Sequence, residues 1–173
     1  MTDYHPSYYD EHRGNIKKVA ELIEQVDVCM MTTRHEDGTL TSRPMRRNKK
    51  AEFDGHLWFF TFGSARKAQD IQARPHVNLS FERPDEQIYV SIHGQAELVR
   101  DRQKIEELWE PALKPWFPEG KDTADLALLK VRAQGAEYWD GTKSTAQFLF
   151  ESVKAIATGA PPDIGDNQKL PLE

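Results

Sequence analysis

The sequence predicts a mainly β protein: a six- to seven-stranded antiparallel barrel, closed or partly closed, with helices only at its margins. Three observations carry this reading. Short apolar or alternating runs recur along most of the chain. Asp37-Gly38 and Asp54-Gly55 separate the first three of them as turn signals. The helical period is confined to a few flanking segments, and no internal repeat or low-complexity stretch is present.

Ile16, Val19, Ala20 and Ile23 recur at helical spacing, so the first element is a helix ending near Gln25. Val26 to Thr33 reads as a strand with apolar residues on both faces, and both faces are expected to be buried. Thr39 to Arg47 returns through the His35–Gly38 turn. Pro44 cannot donate to a ladder, which assigns that strand to an edge or a bulge. Asn48 to Asp54 is a charged loop, and His56 to Phe62 is the third strand. Ser64 to Ala73 is a short helix stopped by Arg74-Pro75. His76 to Glu82 and Gln87 to Val99 are the next two strands, with Gly94 marking a bend or bulge. Asp101 caps a helix through Glu110, and Pro111 to Pro118 forms a stiff, aromatic loop. Leu126 to Ala133 is a strand, with Ala136 to Trp139 as a candidate partner. Ser144 to Ala157 has helical character, and 159–173 reads as a loose tail. The organisation expected is an N-terminal helical segment, 1–25, packed on a barrel domain, 26–158, followed by the tail, 159–173.

The 173 residues suffice for one core. A net charge of -5 argues against a dedicated nucleic-acid binder, which would carry a basic excess. Cys29 is the single cysteine, so no intramolecular disulfide or cysteine-based zinc site can form. No run approaches the roughly 18 apolar residues of a membrane span, and Met1 to Asp10 lacks the apolar core of a signal peptide. A cytoplasmic location without membrane partners is the expectation. The six histidines show no metal-ligand spacing, so no metal site is expected. Nucleophile-elbow, P-loop and Gly-x-Gly-x-x-Gly motifs are missing, which ranks hydrolases and dinucleotide dehydrogenases low.

What remains is a set of segments suited to one ligand. Ser64-Ala65-Arg66-Lys67 follows the aromatic run Leu57–Phe62 directly. A helix start with a serine able to cap it, followed by two cations of which Lys67 lies one turn on from Ser64, attracts a phosphate. The commonest use of such residues is a solvated surface helix, and it is the place after an apolar strand that singles this one out. Ser42-Arg43-Pro44-Met45-Arg46-Arg47 holds three arginines, with Arg43, Met45 and Arg47 on one face and Ser42, Pro44 and Arg46 on the other. An anion between this strand and the Ser64 helix would account for them, as would an edge strand protected by charge. Phe60 and Thr61 can shelter a ring and bond its polar edge. Gln87 opens a strand with both a donor and an acceptor, and Trp139 can stack or donate its indole N–H. An aromatic-lined strand beside a phosphate clamp suits flavin mononucleotide, FMN.

Taken in order, Ser-Arg-x-Met, Phe-Thr followed by Ser-x-Arg-Lys, the later Gln87 and Glu137-Tyr138-Trp139-Asp140-Gly141 resemble the pyridoxamine 5′-phosphate oxidase-like family of FMN-binding split barrels, in its general stress protein 26 branch, from about Val26 to Phe150. The resemblance implies a split β-barrel and a homodimer with the cofactor at the subunit interface, one apolar strand face filling the barrel and the other the interface. It implies that Arg43, Pro44, Met45 and Arg46 run beside the flavin, with Arg43 near the phosphate. Phe60 and Thr61 would line the ring, and Ser64, Arg66 and Lys67 would hold the phosphate. Gln87 would reach the ring from the partner or an adjacent strand, and Trp139 would approach across the dimer. The oxidases themselves carry a substrate-contacting Arg-Leu-His-Asp-Arg segment; here Gly141 is followed by Thr142-Lys143-Ser144-Thr145-Ala146. The resemblance therefore supports FMN binding more than vitamin B6 phosphate oxidation. An FMN-dependent oxidoreductase with an unknown small substrate, linked to stress, is the leading expectation. A flavin-binding sensor or reservoir without turnover is the alternative, and haem or a deazaflavin are further ligands open to such a groove.

Overall fold

The computed structural model describes residues 6–141, 154, 156 and 165–173. Its elements in chain order are α1 (Pro6–Ile23), β1 (Val28–Arg34), β2 (Leu40–Arg46), β3 (His56–Phe62), α2 (Arg66–Ala73), β4 (His76–Arg83), β5 (Ile88–Val99), α3 (Arg102–Leu108), β6 (Leu126–Asp140) and β7 (Asp166–Pro171). The predicted helix over 144–157 lies outside the described residues except Lys154 and Ile156, both helical.

All strand pairs are antiparallel, in the order β2-β1-β4-β5-β6-β3, with β7 also pairing β6. The two ends of this path meet at an isolated bridge, Arg47↔Phe59, reinforced by the Asn48 N–H donating to the Trp58 carbonyl at 2.8 Å. The sheet thus curls into the split barrel expected from the sequence. Pro44 lies on β2, at the end of the path, where its missing N–H costs no ladder bond on the open side. The β1–β2 hairpin closes as expected, with the His35 N–H donating to the Thr39 carbonyl at 2.8 Å and Gly38 at φ 86°.

Met31, Phe59, Leu79, Phe81, Ile92, Leu129 and Val131 fill the barrel, and Val19, Leu22 and Ile23 of α1 join that core. A second cluster lies outside the barrel wall: Phe60, Leu126 and Leu128 pack against Ile105, Leu108, Leu113 and Phe117. Asp101 caps α3, accepting the Gln103 and Lys104 N–H groups.

The structure corrects several expectations. Only one face of β1 is buried: Cys29, Met31 and Thr33 point inward, while Val28 and Met30 are exposed. On β3 and β6 the second apolar face is covered by this chain's own α3 and the loop after it, so it is not left for a partner. Ala136–Trp139 is not a separate strand pairing back on 126–133. It continues β6, which runs along β5 throughout; Gln134 is the extra residue of a bulge opposite His93 and Gly94. A Cβ on Gly94 would strike the Arg132 carbonyl, so the close approach requires glycine. Nor is the tail loose through 166–171. Beyond residue 132, β6 has lost β3 as a neighbour, and β7 takes its place along Gly135–Asp140. The buried Tyr138 hydroxyl donates to Asp166 at 2.8 Å, Leu172 is buried in the main core, and α1 reaches the Pro171 carbonyl through Asn15.

Burial and the Asp166 carboxylate push the Tyr138 phenol up to about 12, so the donor persists across the working pH range. Tyr138→Phe is expected to lower stability by about 1–2 kcal/mol and to speed amide exchange of β7 before the rest of the sheet. Equal exchange rates in both proteins would show that this bond does not hold the strand.

Candidate functional site

The alternation along β3 decides where the site forms. Phe59 enters the barrel, while Phe60 turns to the second cluster, edge-on to Trp109 with ring centroids 5.6 Å apart. Phe62 is exposed and lies 5.1 Å from Phe117, centroid to centroid. Phe60, Thr61 and Phe62 line a groove of about 340 Å³ together with Val28, Pro44, Met45 and Arg46 and with Leu113, Trp116 and Phe117. Lys67 lines it as well.

Lys67 also lines a second, polar basin of about 510 Å³ with His35, Asp37, Thr39, Thr41, Arg43 and Arg66. An apolar trough and a cationic basin therefore share one wall. Both volumes fall within the roughly 300–1,000 Å³ of small-ligand sites.

Arg43 reaches the basin because the β1–β2 register sets it across from Met31; its Nη1 donates to the Thr33 hydroxyl at 2.8 Å. Burial lowers the pKa of Arg43, and Asp70 opposes that shift. Burial, and then the Arg43 charge, lower that of Lys67. Among the described residues no carboxylate lies within ion-pair distance of Lys67. Asp70 instead meets His35: Nδ1 and Oδ2 are 2.7 Å apart, close enough for an ion pair though not aligned as a hydrogen bond. The other His35 ring nitrogen is 2.7 Å from the Thr41 hydroxyl.

The expected site residues thus divide. Arg43, Arg66 and Lys67 gather in the basin, and Pro44, Met45, Arg46, Phe60 and Thr61 in the groove. Thr61 is buried, and its hydroxyl donates to the Phe62 carbonyl at 3.3 Å. Ser64 does not cap α2. The cap position is Ala65, without a side-chain bond, and the Ser64 N–H donates to Asp125 at 2.6 Å. Arg46 faces Asp27 at 3.7 Å, and Arg47 is structural, donating to the Val26 and Glu24 carbonyls.

Gln87 does not open a strand. It ends a short 3-10 turn at φ 54°, and β5 begins at Ile88. With Tyr89, Trp139, Asp140 and Asp166 it lines a separate groove of about 470 Å³. Among the lining residues that the sequence reading did not assign to a site are His35, Thr41, Leu113, Trp116 and Phe117. Thr41 shares the strand face of Arg43 and was legible by alternation; the others depend on chain reversals that no local pattern encodes. Among the described residues no group of three or more His, Cys, Asp or Glu side chains could hold a metal ion, and no helix is long and apolar enough to cross a membrane.

Comparison with known proteins agrees with this architecture. Residues 14–163 match the model of the family described as pyridoxamine 5′-phosphate oxidase like. The chain belongs to the pyridoxamine 5′-phosphate oxidase-like family. It is 27% identical over 164 residues to protein bli-3 of Neurospora crassa, covering 90% of this chain and 78% of that protein. Among solved structures it resembles the general stress FMN/FAD binding protein of Xanthomonas citri, at 26% identity and a TM-score of 0.64, over 76% of this chain and 92% of the other. A protein described as a general stress protein 26 from Jannaschia sp. CCS1 shares the fold, at 24% identity and a TM-score of 0.68, over 96% of this chain and 99% of that one.

The two cations give a pH signature. The pKa of Lys67 lies below the ordinary 10.5, so its charge is lost at lower pH than that of a free lysine. In the unliganded fold this charging is a cost at neutral pH that shrinks as pH rises above the lowered pKa and is gone above 10.5, where the unfolded lysine is neutral too. An anion in the basin reverses the sign, since it favours the protonated lysine. Anion affinity is expected to be flat near neutrality and to fall on the alkaline side before 10.5 is reached, a titration that calorimetry can follow. Affinity that stays constant through that range would remove Lys67 from the seat.

Proposed function

We propose that this chain is an FMN-binding flavoprotein working as a homodimer, an FMN-dependent oxidoreductase that acts on a small substrate and serves the stress response. One observation carries the reading: Lys67 forms a common wall between an apolar, aromatic-lined groove and a cationic basin. A ligand that spans both needs a flat apolar head and an anionic tail, which is the shape of FMN. The similarity to a general stress FMN/FAD binding protein supports the same ligand class.

The residues present fit the group. Arg43, Arg66 and Lys67 would hold the phosphate: Arg43 through its planar fork, Lys67 as a point charge that is in ion-pair distance of no carboxylate among the described residues, although Asp37 also lines the basin. Pro44, Met45, Arg46, Phe60 and Thr61 would wall the ring and exclude water from it. When bound, FMN supplies hydride and electron transfer, and the protein's task is to orient it and shape an open face.

The dimer reading rests on the outer sheet face. Register carries Met30 across Ser80 to Ser91, and Tyr89 stands beside Trp139, so Val28, Met30, Tyr89 and Trp139 share that face. They are 47%, 40%, 42% and 39% exposed, so one sheet face carries four open hydrophobic side chains. A two-fold axis through this face would set one copy's Gln87–Trp139 groove against the partner copy's groove at Lys67. The single, buried cysteine, its thiol pushed up to about 12 by burial, suits a reducing, cytoplasmic setting.

Purified protein is expected to show flavin absorbance after FMN is added and desalted. Lys67→Ala should weaken FMN binding by about 1.5–3 kcal/mol, the range for bonds to charged groups; an unchanged dissociation constant rejects the clamp. Anaerobic mixing with NADH or NADPH should bleach the flavin band. Binding without any bleaching would favour the non-catalytic sensor or reservoir.

A further inference from the structure

We infer that Asp125, which lines neither the groove nor the basin, is the positioning residue of the anion seat: it fixes the turn that carries Lys67. The inference rests on the anion-seat reading above and goes beyond it, since Asp125 itself touches no ligand.

The turn Gly63–Ala65 has the groove residues Phe60 and Thr61 on one side and the basin residues Arg66 and Lys67 on the other. Its first two N–H groups are held by one residue. The Gly63 N–H donates to the Asp125 carbonyl at 2.8 Å, and the Ser64 N–H donates to Asp125 Oδ2 at 2.6 Å. Oδ1 accepts from Arg100 Nη1 at 2.9 Å. Asp125 is one of two non-glycine residues at positive φ among those described, with φ 60°. That conformation is costly for most side chains and tolerated by Asp and Asn. It lets the carbonyl and the carboxylate of one residue serve the same turn.

The Arg100 guanidinium lies over Gly63. At the helix start Ala65 provides no side-chain cap; the turn's remaining bonds are the Ala65 N–H donating to the Phe62 carbonyl at 3.1 Å and Gln69 Nε2 donating to the Ser64 carbonyl at 3.2 Å, neither of which reaches the Gly63 or Ser64 N–H. Hydrogen bonds from Ser64, then Arg100, hold the Asp125 carboxyl down to about 2, so the charge that organises the turn is present at any working pH.

The test is Asp125→Asn, which tolerates the same backbone and removes the charge. Inorganic phosphate is titrated into the full chain while the backbone amide signals of Ala65, Arg66 and Lys67 are followed by NMR; riboflavin, which lacks the phosphate, is titrated in parallel. Phosphate affinity should fall about tenfold, well short of the hundredfold that an ångström of misplacement can cost, and riboflavin affinity should be unchanged. Equal phosphate affinity in both proteins, or a matching loss for riboflavin, overturns the inference. A wild-type protein with no saturable phosphate response removes the anion seat and the inference with it, whereas a responsive wild type with an equally responsive variant removes the inference alone. Arg100→Gln, which keeps Asp125, should give a smaller loss in the same direction, and it decides the question if Asp125→Asn does not fold; no loss there overturns the inference.

Discussion

Two like charges, Arg43 and Lys67, are held together and partly out of water, and burial together with their mutual repulsion weakens the charged form of the lysine. A charge withdrawn from solvent is costly unless something answers it. Asp70, the carboxylate that opposes the shift of Arg43, is engaged by His35. The fold holds the cations in place from opposite ends: Arg43 by the register of a hairpin and Lys67 by a helix set on a pinned turn. An anion would relieve the repulsion that the scaffold maintains.

The apolar side of the site has a different origin. Strand alternation would normally leave Phe60 facing solvent, because Phe59 already fills the barrel. The α3 segment and the proline-rich loop after it supply a second layer for Phe60, and at the margin of that layer Phe62 meets Phe117 yet stays 40% exposed. Trp116, 57% exposed, stands at this boundary. The groove is the unfilled margin between two cores.

Much of this was legible in the sequence because it is local. Turn chemistry at Asp37-Gly38, the edge placement of Pro44, the cap at Asp101 and the bulge at Gly94 each follow from a residue's own stereochemistry. The grouping of Arg43 with Lys67 came from the order of motifs. Failures fell where a distant partner decides the outcome. Ser64 looks like a cap, yet Asp125, far along the chain, takes its N–H. Residues 166–171 look like a tail, yet β6 outruns β3 and leaves an edge to fill. Gln134-Gly135 interrupts an apolar run as a strand end would, and only the pairing to β5 shows that the strand continues. His35 carried no motif, and its role in the basin depends on Asp70 from α2.

The central claim is that the cationic basin, and not the apolar groove alone, selects the ligand. Wild-type affinities for FMN and riboflavin, measured side by side by fluorescence quenching at low and moderate salt, test it most directly. The account predicts that FMN binds at least about tenfold more tightly, as one or more charge-assisted bonds would give, with an advantage that shrinks as salt rises. Equal affinities at every salt concentration would contradict it.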